Sequence, residues 1–255
     1  MPDELKQSNE TPTYLGHRSR LRRRFLVDDG SSMPDYEMLE LLLMMSIPRR
    51  DVKPLAKMLI AKFGDISGVI NASAEELMEV SGISENTATL LKLVAVCGLR
   101  SASEKFKSRE GNLFDGWADF VHYCRQKLAY EEAEKCYAFY FDAALHFLGE
   151  NEVGNGTTNR TAIDMRKLMQ DVIYKNATCV VLAHNHPSGN ANPSDEDRFL
   201  TEEICDMLYK MNIRLEDHLI VTRGEVFSFK NAGLMPSAEI SEMLRQQKKS
   251  RVNKK

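Results

Sequence analysis

The strongest constraint on this chain lies in one run, Ala177 to Asp197, where an apolar segment ends in two histidines and a turn. Residues 177–183 read ATCVVLA, β-branched and apolar enough for a buried strand. Residues two apart on a strand point to the same face, so His184 and His186 converge. Pro187-Ser188-Gly189-Asn190 and then Asn192-Pro193 force the chain to turn. Asp197 then opens an amphipathic segment with Leu200, Ile204, Met207, Leu208 and Met211 on one face. A loop of fixed length therefore carries a carboxylate back toward two imidazoles.

His184, His186 and Asp197 supply three protein ligands and leave a fourth position to water, the arrangement of a hydrolytic zinc. Without thiolates the set does not close off a structural site, and the same nitrogen and oxygen donors accept iron or manganese as well. Ser194-x-x-Asp197 before an apolar run is also the spacing of a helix capping box, and the two roles are compatible. A hydrolytic metal needs a base that is not itself a ligand. Glu134 stands at the mouth of an aromatic, apolar strand, Glu134 to Asp142, which follows an acidic helical run from Tyr130 to Glu134. Beside Glu131 and Glu132 it also reads as a solvated charge, and Glu150 and Glu152 compete for the role. In Asp217-His218 the two side chains face opposite ways on a strand, so one at most approaches the metal. His218 is read as a half-buried polar residue that could serve as an outer partner of a ligand.

Glu134 followed by H-x-H-P-x6-S-x-x-D resembles the JAMM motif of the JAB/MPN metalloprotease superfamily, and HNHPSG with PS-x-x-D after it resembles the RadC branch. The likeness extends through Asn155-Gly156-Thr157, the helix around Arg166, the strand Asp217 to Val221, and Phe227-Ser228-Phe229, covering roughly residues 112 to 235. The resemblance implies that His184, His186 and Asp197 hold zinc and that Glu134 is the acid/base. It also implies that Ser194 positions the water or stabilises the developing oxyanion. Two departures stand out. Cys136 occupies a place where the family more often has an aromatic residue, and Asp164-Met165-Arg166-Lys167 replaces a helix start of the form Pro-Arg-Glu.

The N-terminal part carries other signals. Gly16 to Phe25 packs five arginines around a helix start, a candidate phosphate contact or a salt-bridged helical face. Glu75 to Lys92 reads as helix, tight Gly82 turn, helix, and resembles a helix-hairpin-helix unit. Such hairpins present backbone amides to DNA phosphates, although Ser84 stands where the second turn glycine is usual and Glu85 adds a negative charge. Asp35 to Lys57 is similar to the helical domain that accompanies RadC proteins. Its stripe Met38, Leu41, Leu42, Met45 is assigned to core.

The expected organisation is an α+β or α/β chain. Residues 1–14 form a disordered N-terminus, 15–105 a helical domain with the hairpin, 106–236 a mixed-sheet JAB/MPN-like zinc domain, and 237–255 a helix end and basic tail, with the polar run Ser101 to Gly111 as junction. A net charge of −3 argues against a general affinity for polyanions and leaves room for local basic patches. Five scattered cysteines without C-x-x-C spacing argue against disulfides and fit a reducing cytoplasm. No segment reads as a membrane span or signal peptide. Two functions follow. The first is a zinc-dependent metallohydrolase acting on peptide or isopeptide bonds of a peptide or protein substrate. The second is a DNA-associated protein of the repair or recombination type, binding nucleic-acid backbone through the helical domain.

Overall fold

The structure, a computed structural model, describes residues 16–108, 111–155 and 163–236. The expected disordered N-terminus 1–14, the tail 237–255 and the pair Gly156-Thr157 lie outside the described residues. The chain divides into two compact units, Met1–Cys97 and Gly98–Lys255.

The first unit holds helices α1 (His17–Asp28), α2 (Asp35–Ser46), α3 (Lys53–Phe63), α4 (Ile66–Asn71), α5 (Ala74–Met78) and the start of α6 (Glu85–Lys107). Leu39 and Leu43, four apart on α2, pack with Ala56 and Leu59 of α3 and with Leu77, Val80, Ile83, Ala88 and Leu91 of the expected hairpin. The hairpin turn contains Gly82 at φ 101°, a left-handed conformation that glycine adopts without a Cβ penalty. Ser73 starts α5 with a reciprocal capping box to Glu76, and Lys92 Nζ donates to the carbonyls of Asn71 and Ala72 at the end of α4.

The stripe assigned to core on α2 is corrected in phase. Leu41 is buried, but Met45 is 61% exposed, and the deepest apolar positions of α2 are Leu39 and Leu43. The run MLELLLMM is apolar on so many sides that its periodicity admits more than one phase, and the packing partners choose. Two of the five arginines are structural. Arg18 donates to the carbonyls of Met44 in the last turn of α2 and of Ile47 and Arg50 beyond it, and Arg24 pairs with Glu37 at 2.7 Å.

The second unit is a mixed five-stranded sheet with helices on both faces. It comprises the end of α6, α7 (Trp117–Leu128), β1 (Lys135–Phe141), β2 (Phe147–Asn155), α8 (Met165–Tyr174), β3 (Cys179–Asn185), α9 (Asp195–Tyr209), β4 (Arg214–Val221) and β5 (Val226–Ser228). The strand order is β2-β1-β3-β4-β5; β3 and β4 are parallel and the other pairs antiparallel. Alternation splits the sheet residues between two cores. Phe139, Phe141, Val181, Ala183, Leu219 and Val221 face α7 and the end of α6, where Phe120 and Phe106 meet them. Ala138, Tyr140, Val180 and Leu182 face α8 and α9 through Leu168, Val172, Ile204 and Leu208.

The polar run expected as a junction is helical through Lys107, because Ala102 and Phe106, four apart, bury themselves in the α7-side core. The acidic run Tyr130 to Glu134, expected as helix, is turn and bend: α7 ends at Leu128, and the chain is extended by Lys135. Met211 lies beyond the last residue of α9, whose buried face is Thr201, Ile204 and Leu208.

Candidate metal centre

Each member of the candidate site is delivered by a separate local rule. Leu182 faces α9, so alternation sends His184, two residues on, to the same side, and His186 follows just past the strand end. The turn from Pro187 to Pro193 then leads into α9, whose N-cap is Ser194 and whose third residue is Asp197. The capping box is complete. The Ser194 hydroxyl accepts from the Asp197 amide at 3.1 Å, and Asp197 Oδ2 accepts from the Ser194 amide at 2.8 Å and from its hydroxyl at 2.6 Å. The helix thus begins two residues before the carboxylate, and its start orients that carboxylate in place.

His184, His186 and Asp197 come together. His184 Nε2 lies 2.9 Å from His186 Nε2 and 3.1 Å from Asp197 Oδ1, and His186 Nε2 lies 3.3 Å from Asp197 Oδ2. Donors placed 2.0–2.1 Å from a tetrahedral zinc stand about 3.3 Å apart, so the three fit one ion. The chemistry of the donor set agrees. His186 Nδ1 donates to the carbonyl of Asn190 at 2.7 Å, which leaves its Nε2 as a lone pair beside a carboxylate. Lone pairs aimed at one another call for a cation between them. With only protons to serve, Asp197 and His186 share one. Burial pushes the Asp197 carboxyl up, but the His184 and His186 imidazoles beside it and the Ser194 hydroxyl outweigh burial and hold the group well below the carboxylate range. His186 is raised, first by its bond to Asp197, against burial, and further by the Asn190 carbonyl and the charges of Asp197 and Glu134.

A family model described as a RadC-like JAB domain matches residues 114–234. A UPF0758 protein of Ruegeria pomeroyi is 36% identical over 225 residues, covering 88% of this chain and 100% of the relative. One of Fusobacterium nucleatum is 36% identical over 225 residues, 86% of this chain and 97% of the relative, and one of Rhodobacter capsulatus is 33% identical over 215, 84% and 100%. The chain belongs to the RadC family. The matched span takes in all five strands and the three convergent side chains.

Within this RadC-family domain the competing bases separate cleanly. Glu150 and Glu152 pair across the sheet with Phe139 and Tyr137, residues that pack on the α7 side, whereas His184 lies on the α9 side. Glu150 is also held there by the Tyr123 hydroxyl at 2.6 Å and by Lys107 and Lys127. Glu134 precedes Cys136, which is the direct strand partner of His184, and its charge acts on His186. Cys136 is buried beside Asp197; burial and that charge push its thiol up, so it remains protonated and stands outside the donor set.

Sequence reasoning passed over Asn185. Lying between the two histidines on β3, its side chain turns to the other face. There Oδ1 accepts from the Lys135 amide at 2.8 Å while Nδ2 donates to the carbonyls of Glu131 at 3.0 Å and Ala133 at 3.1 Å. This one amide holds open the non-helical segment that carries Glu134. His218 is a second correction: it is fully buried, not half-buried. It sits on β4 opposite Leu182, with Nε2 2.8 Å from His184 Nδ1 and Nδ1 2.8 Å from Thr201 Oγ1. Burial first, and then the neighbouring His184, drive its pKa well down, so it is neutral. Asp217 points away and accepts from Ser228 and the Lys230 amide.

Two predictions follow from this geometry. Asn185→Ala removes three hydrogen bonds and is expected to speed amide exchange of residues 131–135 by about tenfold or more, each lost bond being worth roughly 1 kcal/mol. Unchanged exchange would show that the Glu134 segment is held by something else. The pH dependence has a definite sign. A raised His186 stabilises the metal-free fold below the unfolded imidazole value of about 6.5, and that contribution is lost as pH rises through the folded pKa. A metal must displace the same proton, so zinc affinity measured by chelator competition is expected to fall by about tenfold per unit below that pKa. Affinity that is flat across the histidine range would mean that no proton is displaced.

Proposed function

We propose that the domain matched over residues 114–234 is a metal-dependent hydrolase that uses His184, His186 and Asp197 as zinc ligands to cleave peptide or isopeptide bonds. The observation that carries this reading is the convergence of two imidazole nitrogens and one carboxylate, without a thiolate, at spacings that suit a single tetrahedral ion. Zinc bound there would lower the pKa of a water molecule and polarise an amide carbonyl. Glu134, which stands outside the three-residue donor set, would take a proton from the attacking water and return it to the leaving amine nitrogen. Ser194 orients Asp197, because its hydroxyl proton is given to Oδ2, and an oxyanion role would require releasing that bond. Asp197 is 13% exposed and His186 12%, so a water can reach the ligands from one side while His184, at 3%, is closed off. Five free cysteines fit the reducing cytoplasm expected for such a protein. Among the described residues no helix is long and apolar enough to cross a membrane.

Chelator-free purification is expected to yield about one zinc per chain by elemental analysis, lost in His184→Ala/His186→Ala. A mixed peptide library read by mass spectrometry is expected to be cleaved by the wild type, and Glu134→Gln to keep its zinc while losing roughly 100- to 10,000-fold in rate. Wild-type protein free of metal, or an unimpaired Glu134→Gln, would overturn the reading; iron or manganese in the analysis would keep the ligands and change the ion.

A second reading, association with DNA backbone, is favoured by Arg22 and Arg23, which stand exposed on α1 while Arg18 and Arg24 are engaged elsewhere. Duplex or branched DNA binding that weakens with salt, and weakens further in Arg22→Ala/Arg23→Ala, is the expected result. Equal affinity in the variant would remove α1 from the interface.

A further inference from the structure

We propose that His218 and Thr201 are positioning residues that lock the imidazole of His184 in the one tautomer able to bind a metal. The inference rests on the metal-site reading above and extends it to residues that touch neither ion nor substrate. His186 is locked directly, its Nδ1–H pointing at a backbone carbonyl that can only accept. His184 reaches such a carbonyl only through two intermediaries. Thr201 Oγ1 lies 2.5 Å from the carbonyl oxygen of Asp197, one turn back on α9. That oxygen cannot donate, so the single hydroxyl proton of Thr201 is spent on it. Thr201 then offers only a lone pair to His218 Nδ1 at 2.8 Å, and Nδ1 must carry the hydrogen.

His218 is fully buried, stacked on Phe229 at 5.0 Å, and its two nitrogens face His184 and Thr201, neither of them an anion. A second proton there would be buried with no anion in hydrogen-bonding contact, so His218 Nε2 is an acceptor. It follows that His184 donates from Nδ1 at 2.8 Å, and its Nε2 lone pair is left to face His186 and Asp197. The reverse polarity would place a hydrogen on His184 Nε2, where it blocks the site. The chain of bonds also closes on itself. It starts at the ligand His184 of β3, crosses β4, and ends on the main chain of the ligand Asp197 of α9. The two ligands are thereby held in one register.

The test begins with zinc-free wild-type protein carrying ¹⁵N-histidine, in long-range proton–nitrogen correlation spectra at alkaline pH, where the imidazoles are neutral. His184 and His218 are each expected to show a protonated Nδ1 and an unprotonated Nε2; a protonated His184 Nε2 would overturn the proposal without any variant. Thr201→Val keeps the shape and removes the hydroxyl, so His218 is expected to switch to the Nε2–H form and force His184 to do the same. Zinc affinity by chelator competition is then expected to weaken roughly 10- to 100-fold. Thr201→Ser is expected to restore both the tautomers and an affinity close to wild type. Unchanged affinity and tautomers in Thr201→Val, with its thermal midpoint confirming a folded chain, would sink the relay. Wild-type protein with the expected tautomers but no affinity for zinc would instead sink the metal-site reading and leave the relay standing.

Discussion

The site depends on one convergence: His184 Nε2, His186 Nε2 and the Asp197 carboxylate are brought within hydrogen-bonding range of one another at the end of a buried strand. Such a cluster is costly unless a cation sits among its members, because desolvated acceptors repel when nothing stands between them. Asp197 held low and His186 raised express their mutual attraction in terms of protons. Much of the surrounding architecture can be understood as what keeps these groups from relaxing apart.

Three elements contribute in different ways. The strand β3 supplies direction, because its alternation gives His184 to one face and Asn185 to the other. Helix α9 supplies the carboxylate through its own capping box, so a local device that starts a helix also aims Asp197 at the two histidines. Neighbouring β4 supplies His218, which bridges His184 of β3 and Thr201 of α9. A substitution in any one of these would therefore be felt at the other two. Asn185 couples the site to a fourth piece, the segment before β1 that bears Glu134.

Much of this was legible from residue spacing. The strand, the turn, the capping box and the His-His-Asp trio are encoded within about twenty consecutive residues, where geometry is governed by local rules of alternation and helix starting. The RadC likeness followed from the same segment, and the helical N-terminal part with its glycine hairpin was also readable. Misreadings arose where local pattern underdetermines the answer. The run at Met38 to Met45 is apolar in several helical phases, and Tyr130 to Glu134 has a helical composition but is pulled open by an asparagine more than fifty residues away. The polar stretch at Ser101 continues a helix because two of its residues, Ala102 and Phe106, find a core to enter.

Sequence alone pointed to the convergence of His184, His186 and Asp197 and to the helix cap, since those residues are near neighbours whose relative positions are fixed by strand and helix periodicity. Only the tertiary structure decided that Glu150 and Glu152 lie on the sheet face away from His184, that His218 is buried against Thr201, and that Asn185 anchors the segment bearing Glu134. Each of these is a contact between segments distant in the chain, created by strand order and by the docking of α9 on the sheet, and no local periodicity carries that information.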